Sequence, residues 1–297
     1  MSIALQVALV MVTILVVLLV IGAPIGVAIG MSSAVSMICM IPADVSFATS
    51  AQRIFAGSNS FSLIAIPFFI LAGNIMNNGG IATRLVNCAK VISGRMPGAL
   101  AQSNVVANML FGAISGSGAA AAAAMGGTIG PLEEKEGYDK NYSTAVNVAS
   151  APVGMLIPPS NTMIVYSSVA GSVSIAALFM AGYIPGLIWG GAVMILAGIM
   201  AKKRGYQAEQ RVPVKVALKT FWQAIPSLLL IVIVIGGILG GIFTATEGSA
   251  IAVVYATVLS LIYKAFKIKD IPRIVLEAAK TTGIITFMIG LSSIMSW

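Results

Sequence analysis

Two short stretches of this chain carry the residue types with which it could hold an ion or a small anion. One is SGSG, at Ser115, Gly116, Ser117 and Gly118, inside the apolar run NVVANMLFGAISGSGAAAAAAMGG. The other is VGMLIPPSNTMIVY, in which Pro158 and Pro159 are followed by Ser160, Asn161 and Thr162. Each interrupts an otherwise helical, uncharged segment. Glycines permit positive φ and close approach, and the two prolines remove amide donors from a helix interior. A half-helix that stops at Ser115 leaves carbonyls unpaired and partly negative, and one that resumes near Ala119 presents N–H groups that are partly positive. Ser160, Asn161 and Thr162 can cap the half-helix that resumes after the prolines. The chemistry on offer is binding: a Na+ ion held by hydroxyls, an Asn amide and carbonyls, beside N–H groups that can meet a carboxylate.

Covalent chemistry is poorly provided for. There is no histidine, the usual general base and a frequent metal ligand. Cys39 and Cys88 have neither disulfide nor metal-ligand spacing and are read as small apolar fillers. The one acid near a span is Glu247, in FTATEGSA, read as interfacial. A proton relay usually places Asp, Glu or His within the membrane, so the acid-free breaks favour sodium over protons.

The elements that must position these breaks are transmembrane helices. The chain has 297 residues, 58% hydrophobic and only 9% charged, against about 25% charged in soluble domains. Uncharged runs extend over 54–83, 141–201 and 220–246, and about 20 apolar residues suffice to cross a bilayer. The uncharged N-terminus lacks the basic region of a signal peptide and reads as a first span. Predicted spans are 3–21, 24–41, 60–78, 178–200, 224–242, 246–263 and 281–297, with a hairpin over 97–130 and a broken helix over 143–170. With the N-terminus outside, sixteen of the seventeen Lys and Arg residues fall inside and only Arg53 falls outside. The net charge of +8 is therefore positive-inside bias and not a nucleic-acid surface. This count requires 97–130 to enter and leave on one face. Its halves are too short to span at ~1.5 Å per residue against ~30 Å of hydrocarbon, which makes SGSG the tip of a re-entrant hairpin. Irregular backbone at that depth survives only inside protein or along a polar cavity. One such break could be a packing kink. Two in neighbouring segments point to a transporter's binding site.

The predicted organisation is a first repeat over 1–200, a cytoplasmic linker over 201–223 and the start of a second, inverted repeat over 224–297. The first repeat holds scaffold helices in 1–78, an amphipathic arm over 79–96, the hairpin, the broken helix and the helix 178–200. The outer segment 44–58 and the stretch KIKDIPRIVLEAAK read as shorter amphipathic elements, and LEEKEGYDKN and KKRGYQAEQ as solvated connectors. The first copy continues into an arm and a hairpin, whereas the second stops at SSIMSW. The expectation is a C-terminally truncated chain.

The stretches FFILAGNIM, SGRMPGALAQSNVVANMLFGAISGSGAAAAAAMG, EEKEGY, SAPVGMLIPPSN and GGIFTATEGSAIAVVYA resemble, in order, the large membrane subunit (DctM type) of tripartite ATP-independent periplasmic (TRAP) transporters. The resemblance implies an all-α polytopic fold of the ion transporter superfamily, working as an elevator in the cell inner membrane. It implies a small membrane subunit (DctQ type) and a periplasmic binding protein as partners. The cargo would be an organic anion, a dicarboxylate, sialic acid or other sugar acid, coupled to Na+ without ATP. Carried over residue by residue, the sodium site involves Ser115, Gly116, Ser117 and Gly118 at the tip, with Gly154, Pro158, Ser160 and Asn161 at the break. Ser160, Asn161 and Thr162 would face the substrate. Ser103, earlier in the hairpin, reads as a bystander.

Two rival classes remain. A membrane enzyme on a lipid-linked substrate would need a nucleophile or an acid–base pair. A non-transporting scaffold subunit would not need two polar breaks at midplane.

Overall fold

A computed structural model describes residues 3–170, 173–206 and 213–296. Part of the linker, 207–212 with Arg211, and Trp297 lie outside the described residues. Every regular element is helical among the described residues. Six helices there are long and apolar enough to cross a membrane, or seven if a bent pair is one span. The protein is a multi-pass, all-α membrane protein.

The chain divides into two compact units, 1–63 with 279–297 and 64–278. The first unit holds α1 (Ile3–Val20), α2 (Ile25–Ile38), α3 (Ala43–Ser58) and the later part of α15 (Ile271–Met295). α1 buries no residue, as expected of a helix apolar on every side and facing lipid. Met37, Leu291 and Ile294 form a small core in this unit.

The second unit holds α4 (Ala65–Asn78), α5 (Ile81–Ser93), α6 (Ala99–Ser115), α7 (Gly118–Thr128), α8 (Gly130–Lys135) and α9 (Lys140–Ser150). It continues with α10 (Val153–Leu156), α11 (Asn161–Ala170), α12 (Ile175–Arg204), α13 (Val214–Leu239), α14 (Ala245–Ile262) and the start of α15. The arm predicted over 79–96 is α5. Its face of Ile81, Ala82, Leu85, Val86, Cys88 and Ala89 is buried, and Ala82, Val86 and Ala89 share a core with Ala107, Phe111, Ala121, Ala124, Met125 and Ile129. That face therefore packs on the hairpin. α6 and α7 are the hairpin's two limbs, and α7 folds back far enough that Gly126 and Gly130 line one cleft with Asn104. α9 with α10 makes one half of the broken helix and α11 the other, bent by 49°.

Termini follow local chemistry. Asp139 caps α9 by accepting the Tyr142 N–H. Lys202, Lys203 and Arg204 close α12 where the macrodipole is negative. Glu247 is exposed and forms a capping box with Thr244 at the start of α14.

Three boundaries differ from expectation. The span predicted over 24–41 contains a helix of only 14 residues after Pro24. α12 and α13 extend into both ends of the stretch 201–223. KIKDIPRIVLEAAK is no separate surface element, because from Ile271 onward it runs continuously into α15. Charge pattern alone marks where lipid ends and does not stop a helix, since Lys, Arg and Glu are good helix formers.

Candidate functional site

The hairpin tip and the proline break meet. α6 ends at Ser115, and Gly116 follows with φ 61°, its N–H donating to the Gly112 carbonyl at 2.8 Å. This left-handed turn suits glycine. A side chain there would also come within 2.9 Å of the Asn161 nitrogen and 3.1 Å of the Pro159 carbonyl oxygen. Ser117 is extended and caps α7, its Oγ accepting the Ala120 N–H at 3.3 Å. One turn below the tip, Gly112 and Gly154 let the two backbones touch. A Cβ on either would fall 2.3 Å from the Cα of the other. Gly118 sits against Met155 and the Ala151 carbonyl, and Gly73 of α4 packs on Ser115.

Asn161 is the link between the breaks. Its Nδ2 donates to the Ser115 carbonyl at 3.3 Å, and the residue is only 7% exposed. Its Oδ1 is buried and accepts no hydrogen bond. Such a group loses hydration without compensation and costs about 1–3 kcal/mol unless something pairs with it. Ser160 is fully buried, and its hydroxyl donates to the Met155 carbonyl and accepts the Met163 N–H. Pro158 is buried beside it, and Thr162 is exposed. Ser115, Gly116, Ser117, Gly118, Gly154, Pro158, Ser160 and Asn161 are thus brought together, with Thr162 at the margin. No group of three or more His, Cys, Asp or Glu side chains suited to a metal ion occurs among the described residues.

A polar seam below the tip was not evident from sequence reading. Asn108 Nδ2, with two hydrogens to give, lies within hydrogen-bonding distance of Asn104 Oδ1 at 2.9 Å, Asn147 Oδ1 at 3.0 Å and Ser150 Oγ at 2.8 Å. Asn147 Nδ2 donates to the Ala122 carbonyl at 2.8 Å. The spacing carries the signal: Asn104 and Asn108 are one turn apart on α6, and Ser143, Asn147 and Ser150 share a face of α9. Ser103, away from the tip, shares a 2.8 Å hydrogen bond with the Ser93 hydroxyl, which ties the hairpin to the arm.

The connector LEEKEGYDKN is not wholly solvated either. Glu134, Lys135 and Glu136 are exposed, but Glu133 is fully buried. α8 tucks it under the hairpin, where burial pushes its carboxyl up to about 7. Its neighbours Ser143 and Asn104 counter this only in part.

The chain matches the family model described as "Tripartite ATP-independent periplasmic transporter, DctM component" over residues 12–297. It belongs to the DctM family. Among curated relatives, this DctM-family chain is 50% identical over 266 residues to the uncharacterized protein YgiK of Salmonella typhimurium, covering 90% of this chain and 61% of that protein. It is 37% identical to the C4-dicarboxylate TRAP transporter large permease protein DctM of Rhodobacter capsulatus, covering 81% of this chain and 58% of that protein. It is 36% identical to the sialic acid TRAP transporter large permease protein SiaM of Vibrio cholerae, covering 84% of this chain and 58% of that protein. The chain thus spans about three fifths of the length of these relatives. DctM proteins are transporter components and not enzymes, which disposes of the enzymatic alternative.

Proposed function

We propose that this chain supplies a sodium site and part of an anion site in a sodium-coupled TRAP transporter of the inner membrane. The observation that carries this reading is the buried, unpaired Oδ1 of Asn161, next to the hairpin tip and to the Ser115 carbonyl. A small hard cation takes oxygen ligands of this kind, and the surrounding helix ends supply polarised carbonyls without a carboxylate. The start of α11 would meet a carboxylate of the cargo through Asn161 and Thr162. The cargo is a small organic anion, a dicarboxylate, sialic acid or other sugar acid, the class to which the names of the R. capsulatus and V. cholerae relatives belong.

The partners are a DctQ-type small membrane subunit and a periplasmic protein that delivers the anion. The N-terminus is periplasmic, and the hairpin enters from the cytoplasmic face, which accounts for the distribution of Lys and Arg. The two repeats are inverted, and the hairpin moves with its cargo as an elevator. A scaffold role would leave the buried Asn161 oxygen without a purpose.

The test is uptake into proteoliposomes by the transporter that contains this chain, reconstituted with both partners. A sodium gradient alone should drive uptake of the labelled anion. Full uptake driven by a pH step in the absence of sodium would refute the reading.

A further inference from the structure

The cleft at the base of the hairpin has a volume of about 340 Å³ and is lined by Asn104, Gly130, Glu133, Tyr138, Lys140 and Ser143, among others. Its floor is unusual. Both carboxylate oxygens of Glu133, the Asn104 Nδ2 and the Ser143 Oγ are buried and make no well-formed hydrogen bond. Glu133 and Asn104 are both 0% exposed. A buried carboxylate held only by poorly formed contacts with Ser143 and Asn104 is costly in its charged form and favours uptake of a cation or a proton.

The donor set decides between them. The Oδ1 atoms of Asn104 and Asn147 both face the Asn108 amide nitrogen, at 2.9 and 3.0 Å. Asn104 therefore turns an N–H group, which cannot ligate a cation, toward Glu133. Of the orphaned groups on the floor, the carboxylate and one hydroxyl offer oxygen while Asn104 offers a donor, a set that suits a proton better than a metal ion's shell of oxygens. A protonated carboxyl fits the same groups: its carbonyl oxygen can accept from Asn104 and its O–H can donate to Ser143. We propose that Glu133 is a proton-binding site, reached from the cleft, whose neutral form docks the base of the hairpin against α9.

The surrounding charges agree. The elements packed on α8 are α6, α7 and α9. α6 and α7 carry no titratable side chain. From α9 and the turn before it come Lys140, Tyr142 and Tyr138, and from α8 itself Glu134 and Lys135, both exposed. Tyr142 donates its O–H to the Ala197 carbonyl at 2.8 Å, and Lys140 forms no ion pair with Glu133. Asp139 is engaged by Arg204 at 2.9 Å. Among the described residues no Lys or Arg forms an ion pair with Glu133, and burial pushes its carboxyl up to about 7. This site is separate from the hairpin tip, and its existence does not depend on which ion drives transport.

The experiment is infrared difference spectroscopy of the purified protein, titrated from pH 5 to 9 and following the protonated-carboxyl C=O band. The wild type should lose one such band with a midpoint near 7. Glu133→Gln should abolish that loss, and Glu134→Gln should retain it. Should Glu133→Gln not fold, the wild-type titration alone decides, because solvated carboxyls lose their protons well below pH 6. Absence of any carboxyl titrating between pH 6 and 8 would overturn the proposal. The titration is repeated at hundredfold higher sodium. An unchanged midpoint is expected, and a midpoint that falls as sodium rises would make the cleft a cation site and overturn the proton assignment.

Discussion

Adding one methyl group at Gly112 should separate the hairpin from the proline break. The new Cβ would lie 2.3 Å from the Gly154 Cα, where carbon atoms prefer about 3.5–4.0 Å. The obstruction is backbone, so no rotamer change relieves it. α6 and α10 must part by more than about 1 Å, and overpacking of this kind costs about 1–3 kcal/mol. The tip lies one turn further along α6. Its hydrogen bond from Asn161 to the Ser115 carbonyl, already 3.3 Å long, would pass beyond bonding range. A loss of about 1–3 kcal/mol at the sodium site corresponds to a roughly 5- to 150-fold higher sodium concentration for half-maximal uptake. The assay pairs thermal unfolding in detergent with sodium titration of uptake in proteoliposomes. The control is Gly127→Ala in the other limb, where a Cβ meets nothing within 4 Å. Removing a helical glycine there should leave stability unchanged or raise it by up to about 1 kcal/mol. Gly112→Ala with wild-type unfolding and wild-type sodium dependence would show that the close approach neither sets the tip nor matters to the ion.

Ser117→Ala removes the cap of α7, which should cost about 1 kcal/mol and raise the sodium requirement while membrane insertion stays intact. Asn161→Ala should impair both the sodium and the substrate dependence of uptake, and an effect on neither would reduce the two breaks to packing features. Single cysteines at Lys135 and Lys202 should both react only with reagents added from the cytoplasmic side, and labelling of position 135 from the periplasm would contradict the hairpin's orientation. Burial lifts Glu133 from 4.5 to about 7, so between those values the folded protein holds a proton that the unfolded chain has released. Stability should therefore fall as pH rises through that window and level off above it, by about 3 kcal/mol at most. Glu133→Gln should flatten the profile when thermal unfolding is compared at pH 5 and pH 8.

Much of the architecture was legible without coordinates because lipid imposes severe rules. Long uncharged runs must be helices, since no other open structure satisfies its backbone in hydrocarbon. SGSG and PPSN announced themselves as breaks because glycine, proline and small hydroxyl residues stand out in such runs. The ends of α13 and α15 were misjudged because basic residues mark the lipid boundary, while helical hydrogen bonding continues past it. What the sequence determined by itself was therefore the class of protein, its helices and the place of its two interruptions. Only the tertiary structure decided which residues meet. Gly112 touches Gly154 across 42 positions of chain, and Asn161 reaches Ser115 across 46. Glu133, in the most charged loop of the chain, is the acid that disappears from water. Periodicity records which face of a helix is apolar, but a neighbour's identity and a side chain's solvation are set by how helices stack, and a short element such as α8 is too brief to show its buried face in the pattern.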